Sequence, residues 1–328
     1  MEEYKFKYNY VIIGAGGYYQ NGYHDIMSLP NVSYHSSYAD GFDSWLSRQV
    51  LRWNFSNVVN RHVCTPFSWY VYPRLYPRHF SDNRPLCFLF FGNTQYIYQT
   101  SYTEYLRKRY PQARLVLYMQ DLVERNPQLM FEKVRPKMDL LLSYDKGDCH
   151  KYGMLFHPTP MSYVHIPDNL MLPPSDVYFC GYAKSRFPVV HRIYNELTSQ
   201  GLTCDFNLLG MPDMAPRIDG IKYISQPFSY TENLQHVVKT KCILEVMQEG
   251  ADGYTPRLWE SIMYNRHLLT NNSTLKDSKY FHPNGMHEYG ETGNIDVRSW
   301  LDMPISYDEE FKNSLSPVHL LQFIDQAL

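Results

Sequence analysis

Long apolar runs are absent from this chain: the longest, "LCFLFFG" at residues 86–92, is only strand-sized, well short of the roughly 20 residues that a membrane span requires. The start, "MEEYKFKYNYVIIGAGG", is acidic and enters a strand at once, with no stretch of signal-peptide length. A cytoplasmic protein is expected, and any work at the inner face of a membrane would be by peripheral contact. An excess of one charge is missing too: the formal net charge is −2. With no global basic field to attract a polyanion, the expectation is no nucleic-acid partner. The six cysteines, Cys64, Cys87, Cys149, Cys180, Cys204 and Cys242, form no CxxC pair, which points to reduced thiols rather than a disulfide framework or a zinc site. There is no DxD, HExxH, GxxxxGK[ST] or GxSxG, and the histidines, His282 and His287 included, do not cluster at ligand spacing. A metal site and serine nucleophile chemistry are both unsupported.

What is present is a globular composition, 44% hydrophobic and 20% charged, with 30 tyrosines lifting the aromatic share to 16%; disorder is excluded on that balance. At 328 residues the chain is long enough for two compact units. Strand and helix patterns alternate: "LCFLFFG", "SYTEYLRKRY", "ARLVLYMQD", "NPQLMFEKVRPK" and "MDLLLSYD" in the first half, which predicts a parallel sheet covered on both faces. After the proline-rich "FHPTPMSYVHIPDNLMLPPSD" the alternation restarts with "DVYFCGY", "FPVVHRIYNELTSQG", "CDFNLLG", "IKYISQP", "SYTENLQHVVKT" and "KCILEVM". The predicted architecture is α/β, with two Rossmann-like domains facing a central cleft, residues 1–168 and 169–328. The last helix, "SPVHLLQFIDQAL", is free to pack back on the first domain.

Three stretches carry candidate chemistry. "VIIGAGGYYQ" places Gly14, Gly16 and Gly17 after a strand, but Tyr19 stands where a dinucleotide fingerprint has its third glycine; a tight turn that lets a ligand approach the backbone is the better reading. "DVYFCGYAKSRFPVV" sets Gly181, Lys184 and Arg186 on a loop before a helix, where free N–H groups and side-chain cations suit a diphosphate. "QEGADGYTPRLWESIMYNRHLLTNN", residues 248–272, has Gly250 and Gly253 in a turn, Tyr254, a capping Thr255, and Pro256 in the first turn of a helix. Arg257 and Glu260 then share one helical face. A carboxylate there accepts from ribose hydroxyls and a guanidinium grips phosphate oxygens; the bland alternative is an ion pair on a solvated face.

The run "ILEVMQEGADGYTPRLWESIMYNRHLLTNN", with "DLLLSYDKGDCHKYGMLFHP" and "VYFCGYAKSRFPVVHRIYNEL", resembles the donor-binding blocks of bacterial GT-B glycosyltransferases of polysaccharide or lipopolysaccharide biosynthesis and of the spore-maturation type. The resemblance implies a donor, with a UDP-hexose expected, held by the C-terminal domain, a saccharide or lipid-linked acceptor, and neither metal nor cofactor beyond the nucleotide-sugar co-substrate. Retaining members carry E-x7-E, a spacing met here by Asp252 and Glu260. On this reading Lys184, Arg186 and Arg257 stabilise the leaving diphosphate and Glu260 holds ribose. The segment from Ser225 to Tyr230 reads the base, and the Gly14 loop admits the acceptor. For an inverting reaction His24 and Asp25 are the nearest titratable pair to that loop. A non-catalytic nucleotide-sugar-binding protein and a nicotinamide or flavin oxidoreductase are the rivals.

Overall fold

The computed structural model describes residues 5–14, 18–92, 101–167, 169, 171–182, 184–211, 217–247, 253–290 and 295–328. Two compact units divide the chain, Met1–Ser162 with Ser316–Leu328, and Tyr163–Leu315; the sequence had put the division between 168 and 169.

The first unit is built on β1 (Asn9–Ile13), β2 (Val32–His35), β3 (Leu86–Phe91), β4 (Arg114–Met119), β5 (Leu140–Ser143) and β6 (Leu155–Phe156), in the order β2-β1-β3-β4-β5-β6. All the pairings are parallel. Such a sheet is buried on both faces, which is why its strands read as unbroken apolar runs. Val11, Ile13, Phe88 and Phe90 enter one core, and Tyr10, Ile12, Leu89 and Phe91 enter the other, as the two-residue period of a strand demands. The second of these cores is closed by the Pro317–Ala327 helix through Val318, Leu320, Leu321 and Ile324. Tyr10 Oη fixes that helix by donating to Asp325 Oδ1 at 2.6 Å.

The second unit holds β7 (Ser175–Tyr182), β8 (Cys204–Leu209), β9 (Lys222–Ile224), β10 (Thr240–Glu245), β11 (His267–Thr270) and β12 (Met286–Glu288), in the order β12-β11-β10-β7-β8-β9, again all parallel. Counted from β7, this is the 3-2-1-4-5-6 order of dinucleotide-binding sheets, whereas the first sheet follows the 2-1-3-4-5 order of flavodoxin-like folds. Each order reverses once, between β1 and β3 and between β7 and β10. Ligands of open α/β sheets collect at the carboxyl ends of such strands.

One predicted helix is broken. "NPQLMFEKVRPK" forms two 3-10 turns, Pro127–Leu129 and Arg135–Lys137, around a single helical turn, Phe131–Val134. Met130 stands between them at φ 50°, a left-handed conformation that cannot continue a helix, and Pro136 lacks an amide donor. All six cysteines are free. Among the described residues no helix is long and apolar enough to cross a membrane.

Candidate functional site

The switch point of the second sheet receives two of the predicted loops. From the end of β7 the chain passes through a 3-10 turn, Lys184–Arg186, into the helix Phe187–Ser199. That helix has no side-chain cap at its N-terminus, and Pro188 in its first turn carries no amide donor; a helix N-terminus of this kind favours an anion through its dipole. From the end of β10 the chain returns as the helix Pro256–Met263, capped by Thr255. Arg186 Nη1 donates to Val246 O at 3.0 Å and its Nη2 to Tyr182 O at 2.8 Å; Arg257 Nη2 donates to Cys180 O at 2.5 Å. Between them lies Gly181: a Cβ placed there would stand 3.5 Å from Arg257 Nη2 and 3.7 Å from Arg186 Nη2. Two guanidinium groups therefore converge on one strand end, each oriented by backbone carbonyls. Lys184 begins the same turn, its side chain outside the described residues, as is Asp252.

The loop between β10 and its helix is pinned on both flanks by the end of β11. Asn271 Oδ1 accepts from Met247 N at 2.8 Å, and Asn272 Nδ2 donates to Gly253 O at 3.2 Å. Beneath them the Glu245 carboxylate, 1% exposed, accepts hydrogen bonds from the hydroxyls of Thr255 and Thr270. Burial pushes the Glu245 carboxyl above its usual range, against the pull of those two hydroxyls and of Arg257. Glu245 looks like an ordinary strand residue in the sequence and went unremarked; an acid in the middle of "ILEVM" was the one available signal. The Thr-Asn-Asn ending of β11 is explained by these contacts.

Glu260 does not lie on a solvated face. From Leu258 to Met263 every residue of its helix is buried, Glu260 itself being 2% exposed. Its Oε1 accepts from Asn233 Nδ2 at 2.9 Å, and Asn233 Oδ1 in turn accepts from Tyr178 Oη at 2.9 Å. Asn233, which the sequence did not single out, comes from the neighbouring helix Tyr230–Lys239. Tyr230 opens that helix and is 3% exposed. It follows the edge strand β9, so β8 separates the Ser225–Tyr230 segment from the switch point in the strand order. Tyr254 is buried in an aromatic trio with Trp259 and Tyr280, at centroid distances of 5.7 and 5.2 Å.

In the first unit Gly14 ends β1 at φ 87°, a conformation that favours glycine, and donates to His35 O at 3.1 Å. Gly16 and Gly17 lie outside the described residues. Asp25 Oδ2 accepts from Ser316 Oγ at 2.6 Å, and its own amide donates to Ser162 Oγ at 3.1 Å. It ties a short helix to the cap of the last one, while His24 beside it is exposed. Among the described residues there is no cluster of His, Cys, Asp or Glu able to hold a metal.

No protein-family model matches the chain, and no curated protein matches it in sequence. Solved structures do. An α-glucosyltransferase in complex with UDP-glucose and DNA containing an abasic site is 11% identical, covers 96% of this chain and 89% of its own, and has a TM-score of 0.45. The same kind of enzyme with UDP and a 13-mer DNA containing a central A:G mismatch gives 11%, 96%, 90% and 0.45. The glycotransferase of kitacinnamycin is 9% identical over 74% of this chain and 76% of its own, with a TM-score of 0.41. At such scores the likeness assigns no activity. The expectation of no nucleic-acid partner is nonetheless withdrawn, because two of these structures are complexes with DNA. Its basis, a net charge of −2, is a sum over the whole chain and is blind to local cationic surface.

Proposed function

We propose that the chain is a glycosyltransferase that takes its sugar from a nucleotide-sugar bound at the carboxyl ends of β7 and β10, a UDP-hexose being the expected donor. The observation that carries this reading is the convergence of Arg186 and Arg257 on Gly181 at the switch point of a 3-2-1-4-5-6 sheet. Glycosyl transfer builds negative charge on the departing diphosphate. The two guanidinium groups, with Lys184 on the same turn and the N-terminal dipole of the Phe187–Ser199 helix, are the proposed means of meeting it. Glu260 is the proposed ribose acceptor; at 2% exposure it reaches a hydroxyl by exchanging its bond from Asn233. The Gly14 turn is the proposed acceptor-side element of the first unit. A dinucleotide oxidoreductase is disfavoured by Tyr19, the large residue in place of the third fingerprint glycine.

The test is a thermal-shift panel of nucleotide-sugars, followed by measurement of nucleoside diphosphate release with a saccharide, a lipid-linked saccharide and duplex DNA as acceptors. A donor at a hundred times its Kd stabilises the folded state by about 2.7 kcal/mol. Binding with diphosphate release supports the enzyme; binding without release for any acceptor leaves a nucleotide-sugar-binding protein. A shift with NAD or FAD and none with nucleotide-sugars refutes the proposal.

A further inference from the structure

Three of the five tryptophans of this chain are on its surface, and all three lie in the first unit between residues 45 and 69: Trp45 is 71% exposed, Trp53 51% and Trp69 75%. The Trp45–Asn54 helix shows how this arises. Ser47, Leu51 and Asn54 are its buried residues. At about 100° per residue, Trp45, Leu46, Arg48, Arg52 and Trp53 fall together on the opposite arc, and all five are exposed. The helix turns Trp45, Leu46 and Trp53 outward and keeps Leu51 inward. It is held to the following segments through the fully buried Asn54, whose Oδ1 accepts from Phe67 N at 3.2 Å and whose carbonyl accepts from Asn60 Nδ2 at 2.9 Å. Trp53 also meets the ring of Phe67, at 6.1 Å. Val58 and Val63, 67% and 55% exposed, belong to the linking stretch. Large apolar side chains exposed together on one helix face, with more in the segments packed beside it, mark an interaction site.

Charge names the partner. From Ser44 to Phe80 there are five arginines, Arg48, Arg52, Arg61, Arg74 and Arg78, and not one Asp, Glu or Lys. A segment of pure positive charge in a chain of net charge −2 complements an anionic surface. The exposed Leu46, Val58 and Val63 offer nothing to a phosphate or a base edge, but they suit acyl chains. Tryptophan suits the boundary between headgroup and chain, and arginine keeps its guanidinium at the headgroups while its stem lies along apolar matter.

We propose that this face docks on the surface of an anionic lipid bilayer, with the tryptophans at the headgroup boundary and the exposed Arg48, Arg52 and Arg61 on lipid phosphates. The binding is peripheral and does not depend on the donor reading above, since none of these residues belongs to the second unit.

The experiment is co-sedimentation of the full chain with phosphatidylcholine vesicles, with and without phosphatidylglycerol, read together with tryptophan emission. Wild type should pellet with the anionic vesicles, its emission shifting to the blue, and release with rising salt. W45A/W53A/W69A should weaken binding roughly tenfold or more, and R48Q/R52Q/R61Q should abolish the preference for phosphatidylglycerol. All six side chains are exposed, and the contacts given up are few, the Arg48 Nε bond to Phe42 O at 2.8 Å and the Trp53–Phe67 ring contact, so circular dichroism should match wild type and melting should fall by no more than a few degrees. Wild type remaining in the supernatant with both vesicles overturns the proposal, as do triple variants that pellet like wild type. So does tighter binding to a duplex oligonucleotide that the same substitutions remove, which would make the face a nucleic-acid surface.

Discussion

Arg257→Lys is the sharpest perturbation of the proposed donor site, because it preserves charge and removes shape. In the structure one arm of the Arg257 fork, Nη2, is committed to Cys180 O at 2.5 Å. A guanidinium carries five N–H donors in one rigid fork, so a single side chain can serve both that carbonyl and a diphosphate; an ammonium on a shorter stem is a point charge and cannot do both. The loss is one charge-assisted hydrogen bond to phosphate, about 1.5–3 kcal/mol. Since 1.4 kcal/mol is tenfold in an equilibrium constant, the Kd for UDP should rise roughly ten- to a hundredfold. The assay is calorimetric titration with UDP, paired with a melting curve of the unliganded protein. Melting should change little, since the carbonyl bond survives in the lysine variant and the helix is held by Leu258, Trp259 and Ile262, all at most 1% exposed. An unchanged Kd with a Tm several degrees lower would refute the reasoning, making Arg257 a purely structural clamp on the end of β7.

Transfer should survive EDTA, since cations and a helix dipole are proposed to meet the diphosphate charge; loss of product restored by magnesium or manganese would overturn that arrangement. His287→Phe should flatten the acid side of the stability curve. Burial, then the nearby His267, bring the His287 imidazole down to about 4. A base whose folded value lies below the unfolded one of about 6.5 gives stability that is whole above pH 6.5 and lost as pH falls toward 4. The loss is on the order of 1–2 kcal/mol after solvent screening. His287 stacks on Trp300 at 3.6 Å and its Nε2 makes no hydrogen bond, so phenylalanine keeps the stack and drops an orphan polar atom, at the cost of the imidazole's hydrogen bond to the Asn284 backbone. Urea midpoints at pH 7 and pH 5 that differ as much as in wild type would refute this.

The strands were legible because parallel sheets bury both faces and so write themselves as apolar runs: "LCFLFF" and "RLVLYM" are β3 and β4, each buried along all but its first residue. Gly181, Arg186 and Arg257 were legible as loop residues because glycine, cation and helix start come in sequence order. Their convergence was not, since it depends on β7 and β10 lying side by side in the sheet although β8 and β9 come between them in the chain. The surroundings of Glu260 were not legible for a related reason. An i,i+3 pair reports which face two residues share and says nothing of what covers that face, and here the cover is Asn233 from another helix. The strands β6 and β12, of two and three residues, are too short for any period to register.

The burial of the Pro256–Met263 helix bears on how the site works. A functional group is positioned no better than the element that carries it. Arg257 rides on a helix whose residues from Leu258 onward are all buried, and whose cap, Thr255, is tied to Glu245 on β10. Asn271 and Asn272 fix both flanks of the preceding loop to β11, so the arginine is referred to two central strands at once. Arg186 sits on a 3-10 turn and is referred to the same place by its bonds to Val246 O and Tyr182 O. Each guanidinium therefore senses the end of the strand from which it does not itself descend: Arg186, after β7, is bonded beyond β10, and Arg257, after β10, is bonded to β7. Such crossed anchoring holds the separation of the two cations against shear of one strand past the other. A diphosphate spanning them would meet a preorganised pair and would not have to assemble it.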